Sequence, residues 1–222
     1  MPRVARVVCA GLPHHVTQRG NRRNPVFFDD GDRLAYLALL SDYSNRHAVE
    51  VLAYCLMTNH VHLVLRPATA EALRCALRPL HMRHTQRVNR RHDWKGHLWQ
   101  GRYFSSPLDE DYLWAAIRYV ELNPVRACLV DRAEEYPWSS ASAHCGVTND
   151  PVLTSDEAWR IRLAAIGDWS TWLVAGGDDR SIDVLRRHAD KGIPCGSTQF
   201  VEELERATGR ALRARPQGRP PA

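Results

Sequence analysis

Residues 48–67, AVEVLAYCLMTNHVHLVLRP, restrict the fold more than any other stretch of this chain. Two apolar runs rich in β-branched residues flank one polar break at Thr58-Asn59, the pattern of two strands joined by a hairpin turn. A sheet must therefore form here, and the remaining elements must cover it. Residues 13–19 can add a short strand, and 20–30, with Gly20-Asn21 and Asn24-Pro25, read as a loop. Asp30 or Asp32 can cap a helix in which Leu34, Leu37 and Leu40 recur at helical spacing. A second helix is expected over 69–91, with Leu73, Ala76, Leu77 and Leu80 on its apolar side. A third starts near Asp109 and stops at Asn123, because Pro124 follows. The order β-α-β-β-α-(β)-α predicts an α+β fold, an antiparallel sheet with packed helices.

The texture changes past about residue 150. Three parts are expected: a main domain over 1–150, an accessory helical segment over 151–208, and a disordered Pro/Gly/Arg tail over 209–222. At 44% hydrophobic residues the 222-residue chain can bury a core. No run is long and apolar enough for a membrane span, and the N-terminus does not read as a signal peptide. Six scattered cysteines form no CxxC pair. Reduced thiols and a cytoplasmic location are the expectation.

The net charge of +5 is unevenly spread. Arg3, Arg6, Arg19, Arg22 and Arg23 all precede the first acid, Asp29. Arg83, Arg87, Arg90, Arg91, Lys95 and Arg102 face a single Asp93, and after Glu205 the only charged residues are arginines. Basic blocks of this kind suit a polyanion, although they also serve as a solubilising surface. In 82–103 the arginines alternate with Trp94, Trp99 and Tyr103, so arginines can track phosphates while aromatics stack on unpaired bases.

Within the hairpin, His60 and His62 share one face because side chains alternate along a strand. They lie about 7 Å apart, close enough to hold one metal ion, and Val61, Leu63 and Leu65 point the other way into the core. With eleven histidines in the chain, a chance His-x-His on the surface is the competing reading. On the third helix Tyr119 and Asn123 lie at i and i+4 and share one side. A tyrosine there can equally be a core residue, and an Asn before Pro a helix stop. If the partner is DNA, a phenol attacks phosphorus only when a cation activates the phosphate, and neutral imidazole and amide ligands leave that cation its full charge. Tyr112, two turns from Tyr119, is the rival nucleophile.

These residues carry a resemblance. NHVHLV (59–64) followed by RYVELNPVRA (118–127) is similar to the single-tyrosine HUH transposases, and more closely to the REP-associated tyrosine transposase-like proteins of bacteria. HHVTQRGNRR (14–23), GHLWQGRYFSS (96–106), YPWSSASAH (136–144) and the tail from Gly196 match that pattern in order. Thr58 stands where the family commonly has Pro, and Asn123 where related enzymes often have glutamine. The resemblance implies a ferredoxin-like sheet with the histidines on a central strand. It also implies an endonuclease and strand transferase that cuts single-stranded DNA near hairpins. Tyr119 would keep the 5′ phosphate as a covalent phosphotyrosine, while His60, His62 and Asn123 hold Mg²⁺ or Mn²⁺. REP-like hairpin DNA is the implied partner, gripped by Arg19, Asn21, Arg22, Arg23, Arg83, Arg87, Arg90, Arg91, Trp99 and Arg102. A monomer or a homodimer fits equally. Two other readings stay open: a nucleic-acid-binding regulator that no longer cuts, and a metal-dependent hydrolase of small phosphoesters. Glu121, on another side of the helix from Tyr119, is a poor base for the last.

Overall fold

The computed structural model describes residues 6–176 and 179–213. Its centre is a four-stranded antiparallel sheet in the order β2-β3-β1-β4. The strands are β1 (His14–Arg19), β2 (Val49–Met57), β3 (His60–Pro67) and β4 (Phe104–Pro107). Helix α1 (Asp30–Arg46) joins β1 to β2, and α2 (Ala72–His92) joins β3 to β4. This is the ferredoxin-like arrangement, with the hairpin where the apolar pattern put it. The edge strand β4 ends in Pro107, a residue that cannot donate to a ladder and so is tolerated at an edge.

Both faces of the sheet are covered, so β3 shows no alternation of buried and exposed residues. On one face α1 and α2 pack over Val16, Val61, Leu63 and Leu65. On the other, α3 (Glu110–Glu121) packs Leu113, Ala116, Ile117 and Val120 against Leu52, Cys55 and Val64. The histidine face is thus an interior one, and His62 is only 5% exposed.

Helix starts follow local chemistry. Asp29, rather than Asp30 or Asp32, caps α1, its carboxylate accepting the Asp32 N–H at 2.9 Å. The buried stripe of α1 is Asp32, Tyr36, Leu40 and Ser44, whereas Leu34 is exposed. Asp109 caps α3 in the same way. Pro124 does not end the helical path but redirects it: after Leu122 a short α4 (Asn123–Arg126) begins with the proline in its first turn, where no N–H is needed.

Beyond it lie α5 (Ala141–His144), α6 (Glu157–Ala164), α7 (Trp169–Val174), α8 (Asp179–Ala189) and α9 (Thr198–Thr208). Trp159, Trp169, Leu173, Leu185 and Cys195 join the core beneath α3, with Trp114 stacked on Trp159 at 5.5 Å. The segment read as accessory therefore closes the second face of the sheet. The Ala189 carbonyl accepts the Thr17 hydroxyl, and that of His188 accepts the Ser106 hydroxyl, which seats the end of α8 over β1 and β4. The proline- and arginine-rich end expected to be disordered lies, from residue 214, outside the described residues. Among the described residues no helix is long and apolar enough to cross a membrane.

Candidate active site

The register of the sheet assembles three histidines, not two. His62 pairs across the ladder with Thr17, and His60 with Arg19. His15 follows the same parity on β1, so its ring stacks on that of His62, with Nε2 at 2.9 Å from His62 Nδ1. The His60 and His62 rings meet edge to face at 5.0 Å between centroids.

Hydrogen bonds select which ring nitrogens are left for a ligand. His60 Nδ1 donates to Asn59 Oδ1 at 2.6 Å, and Asn59 Nδ2 donates to the Arg23 carbonyl. That strut fixes the His60 tautomer and leaves Nε2 as the lone-pair nitrogen. His62 offers its Nε2 in turn when its Nδ1–H donates to His15 Nε2; the remaining His15 nitrogen, Nδ1, is buried with no partner. Burial pushes His15 and His60 down to about 4, His60 further disfavoured as a cation by Arg19. His62 lies well below its usual value, through burial first and then neighbouring His15, His60, Arg126 and Arg19. All three rings are neutral near pH 7, the state a metal ligand requires.

Helix α3 brings Tyr119 against this cluster. Its ring, 9% exposed, lies edge-on to His62 at 5.5 Å and to His15 at 5.8 Å. Tyr112 lies among Asp109, Cys195, Arg180 and Ser181, and Tyr103 belongs to the core under α2. Of the three tyrosines considered, then, only Tyr119 touches the histidines. Arg126 lays its guanidinium over the Tyr119 ring, 4.4 Å from the centroid, and donates to the Tyr119 carbonyl oxygen. Asn123 is half-buried and its Nδ2 is buried without a partner. Rotating the amide by half a turn would place Oδ1 there, an acceptor without a donor, which is the kind of group a cation satisfies.

Glu121 is fully buried and faces away from Tyr119. Its carboxylate accepts the Ser140 hydroxyl at 2.5 Å, His144 Nδ1 at 2.6 Å and Trp169 Nε1 at 2.7 Å. It anchors α3 to α5 and α7.

The residues expected to grip DNA are split between the faces. Arg19 shares the histidine face, and Asn21, Arg22 and Arg23 form an exposed turn beside it, braced where the Gly20 N–H donates to the Asn59 carbonyl. A Cβ at Gly20 would stand 2.1 Å from the Asn24 carbonyl oxygen, so only glycine fits this turn. Arg22 and Arg23 hold left-handed backbone, at φ 54° and 61°. Arg83, Arg87, Arg90 and Arg91 instead lie on exposed α2, across the sheet from Tyr119. Arg87 and Arg91 are moreover paired with the buried Asp32 at 3.3 Å, and Arg91 also with Asp29. They neutralise the acids Asp29 and Asp32 at the start of α1. Trp99 is 7% exposed, its indole N–H donates to the His81 carbonyl, and it lines a cavity on the α2 side. Arg102 is exposed and lines the same cavity, of about 780 Å³, together with Arg6, Arg78 and Tyr103.

The family model "Transposase IS200 like" matches residues 9–123. The chain belongs to the IS200-like transposase family. The matched region spans the whole sheet, both histidines of the HVH run, and α3 with Tyr119, and it ends at Asn123. Among solved structures, this transposase is similar to a REP-associated tyrosine transposase bound to a REP hairpin, with a TM-score of 0.56 at 15% identity, covering 70% of this chain and 93% of that one. The likeness is one of fold. A proposed transposase from Deinococcus radiodurans aligns over 57% of this chain and 92% of its own at 21% identity, with a TM-score of 0.35, too low to bear on the architecture. No curated protein matches the sequence. Sequence reasoning missed His15, Asn59 and Arg126, although each lies in a stretch that carried the resemblance.

Proposed function

We propose that this transposase cuts and rejoins single-stranded DNA beside hairpins, with Tyr119 as the nucleophile that retains the 5′ phosphate. The observation that carries the reading is the contact of the Tyr119 ring with His62 and His15, which puts a phenol beside neutral imidazoles on one sheet face. The hairpin as partner draws support from the REP hairpin bound by the structural relative.

The residues present fit a divalent ion, Mg²⁺ or Mn²⁺. His60 and His62 each keep one ring nitrogen free of protein partners, and the Asn123 amide is unsatisfied. Among the described residues no three His, Cys, Asp or Glu side chains are grouped to hold an ion, so a third protein ligand has to be of another type, and Asn123 is that candidate. When bound, the ion withdraws charge from the phosphate's non-bridging oxygens. The protein's own groups do the rest. Asn59 and His15 hold the two imidazoles in the tautomers that expose Nε2. Helix α3 carries the phenol and the following α4 opens with Asn123, four residues on, so the two are held on adjoining helices. The phosphodiester's free energy is kept in the tyrosyl bond, so rejoining requires no nucleotide.

The test is a covalent adduct. Wild-type protein incubated with single-stranded hairpin oligonucleotides and Mn²⁺ should yield a protein–DNA species whose peptide map places the phosphate on Tyr119. Tyr119→Phe should bind the same DNA and give none. An adduct on Tyr112, or one that persists in Tyr119→Phe, overturns the assignment; binding without any adduct favours the regulator.

A further inference from the structure

Arg126 is half-buried, as is Arg19 on the histidine face, and no carboxylate lies within ion-pairing distance of Arg126 among the described residues. Of the other partly buried arginines, Arg66 has Glu50 and Arg162 has Glu110, whereas Arg6 and Arg118 donate to carbonyl oxygens; Arg126 differs from these in lying over the Tyr119 ring. Around Arg126 the charged or ionisable neighbours are Tyr119, Arg186 and Cys55. Burial, followed by repulsion from Arg186, works against its charge. A guanidinium held out of water with no counter-ion is unfavourable by itself, and such sites mark where an anion is meant to arrive. A second guanidinium, that of Arg186 on α8, stands 5.9 Å from the centroid of the same Tyr119 ring and is tied only loosely, at 3.8 Å, to Asp183. Two arginines therefore converge on the tyrosine from different elements, one following the matched family region and one from the C-terminal segment.

We infer that Arg126, with Arg186, forms the anion site that receives the scissile phosphate and the charge it gains as Tyr119 attacks. The inference rests on Tyr119 being the nucleophile. In the step, the Tyr119 oxygen forms a bond to phosphorus while the bond from phosphorus to the 3′ oxygen breaks. The bonding pair leaves with that oxygen, which takes up a proton as the phenol gives one up. No oxidant or nucleotide enters. Throughout, the non-bridging oxygens carry the negative charge, and a planar guanidinium can donate to two of them in parallel. The donation from Arg126 to the Tyr119 carbonyl uses one of five N–H groups and locks the side chain in place, leaving the others for phosphate.

The test uses the full-length protein and two probes. The first is a single-stranded hairpin oligonucleotide that the wild type cleaves, with either a phosphodiester or a neutral methylphosphonate at the scissile position. Arg126→Gln should slow adduct formation on the phosphodiester by about a hundredfold or more, the usual loss on removing a charge-stabilising donor. On the methylphosphonate, wild type and Arg126→Gln should react at similar rates. Arg126→Lys should recover part of the loss. Arg186→Ala, an exposed position that leaves the fold intact, should show the same dependence on substrate charge with a smaller amplitude. The second probe is inorganic vanadate, titrated calorimetrically with no DNA present; wild type should bind it and both Arg126→Gln and Arg186→Ala should bind it more weakly. Vanadate binding that depends on Arg126 in a protein that makes no Tyr119 adduct would sink the nucleophile assignment and keep the anion site. A Tyr119 adduct that forms equally fast in Arg126→Gln, or a defect equally large on the methylphosphonate, overturns the anion site and keeps the nucleophile.

Discussion

Glu121→Ala should loosen much of what supports helix α3, and the structure gives the scale. The carboxylate is fully buried and accepts three donors: the Ser140 hydroxyl, His144 Nδ1 and the Trp169 indole N–H. Ser140 Oγ in turn accepts the Tyr54 N–H of β2 at 3.0 Å. Removing the carboxylate leaves the His144 and Trp169 donors without partners in a region too tightly covered for water to replace them, while the Ser140 hydroxyl can still donate to the Tyr54 carbonyl at 3.3 Å. Each orphaned group costs about 1–3 kcal/mol, and the void adds a transfer and cavity loss of similar size. A loss of roughly 3–9 kcal/mol follows, a large part of the roughly 5–15 kcal/mol that holds a domain together. Glu121→Gln keeps the shape and one acceptor oxygen, but turns its NH₂ toward a donor; about half the loss is expected. The measurement is the urea midpoint and slope by circular dichroism, with tryptophan fluorescence as a second probe because Trp169 belongs to the network. Both probes should shift together if α7 and α3 unfold as one unit. A Glu121→Ala variant within about 0.5 kcal/mol of wild type, on the scale of an ordinary surface change, would refute the view that this buried carboxylate anchors the helix.

Other outcomes follow from the same geometry. His14, buried and with Nε2 accepting the Cys9 N–H, is pushed by burial down to about 4 from 6.5. The unfolded chain therefore binds the extra proton first; stability is full above pH 6.5 and falls by roughly 3 kcal/mol as the pH drops toward 4, and a urea midpoint flat from pH 7.5 to 4.5 would contradict this. Asn59→Leu removes the strut that orients His60 and should weaken Mn²⁺ binding, read calorimetrically, by about 10–100-fold, whereas His60→Ala should weaken it further; unchanged affinity in both would remove the histidines from the metal assignment. Replacing Arg22 and Arg23 together by alanine should flatten the salt dependence of single-stranded DNA affinity by about 0.7 in log–log slope for each phosphate that the turn no longer neutralises. Arg87→Ala should instead lower stability, because it strips a counter-ion from buried Asp32; a changed salt slope with unchanged stability would argue that α2 does contact DNA.

Much of the site was written locally. The hairpin is visible in residues 48–67 because strand pairing here needs only a turn and two apolar runs. His60 and His62 share a face because the strand period is two, whereas Tyr119 and Asn123, four residues apart, lie on either side of the break between α3 and α4. The strand period holds whatever the chain packs against. What packs against them was decided by tertiary structure. Alternation cannot tell a solvent-facing histidine from one roofed by a helix sixty residues on, so the burial of His62 emerged only when α3 covered that face. His15 joins His62 through the β1–β3 register, a pairing that no spacing within β3 encodes. Arginine counts gave the charge of α2 but not that Asp32 on α1 holds Arg87 and Arg91, and aromatic counts did not show that Trp99 is inside. Arg126 and Glu121 belong to the same ten-residue run as Tyr119, yet their opposite roles depend on distant partners. Trp169 and His144 enclose Glu121 on one side of α3, and Arg186 arrives from α8 on the other. A sequence fixes the direction in which a side chain leaves its own strand or helix; whether it meets water, a core or a counter-charge there depends on which distant segment the fold brings to that face.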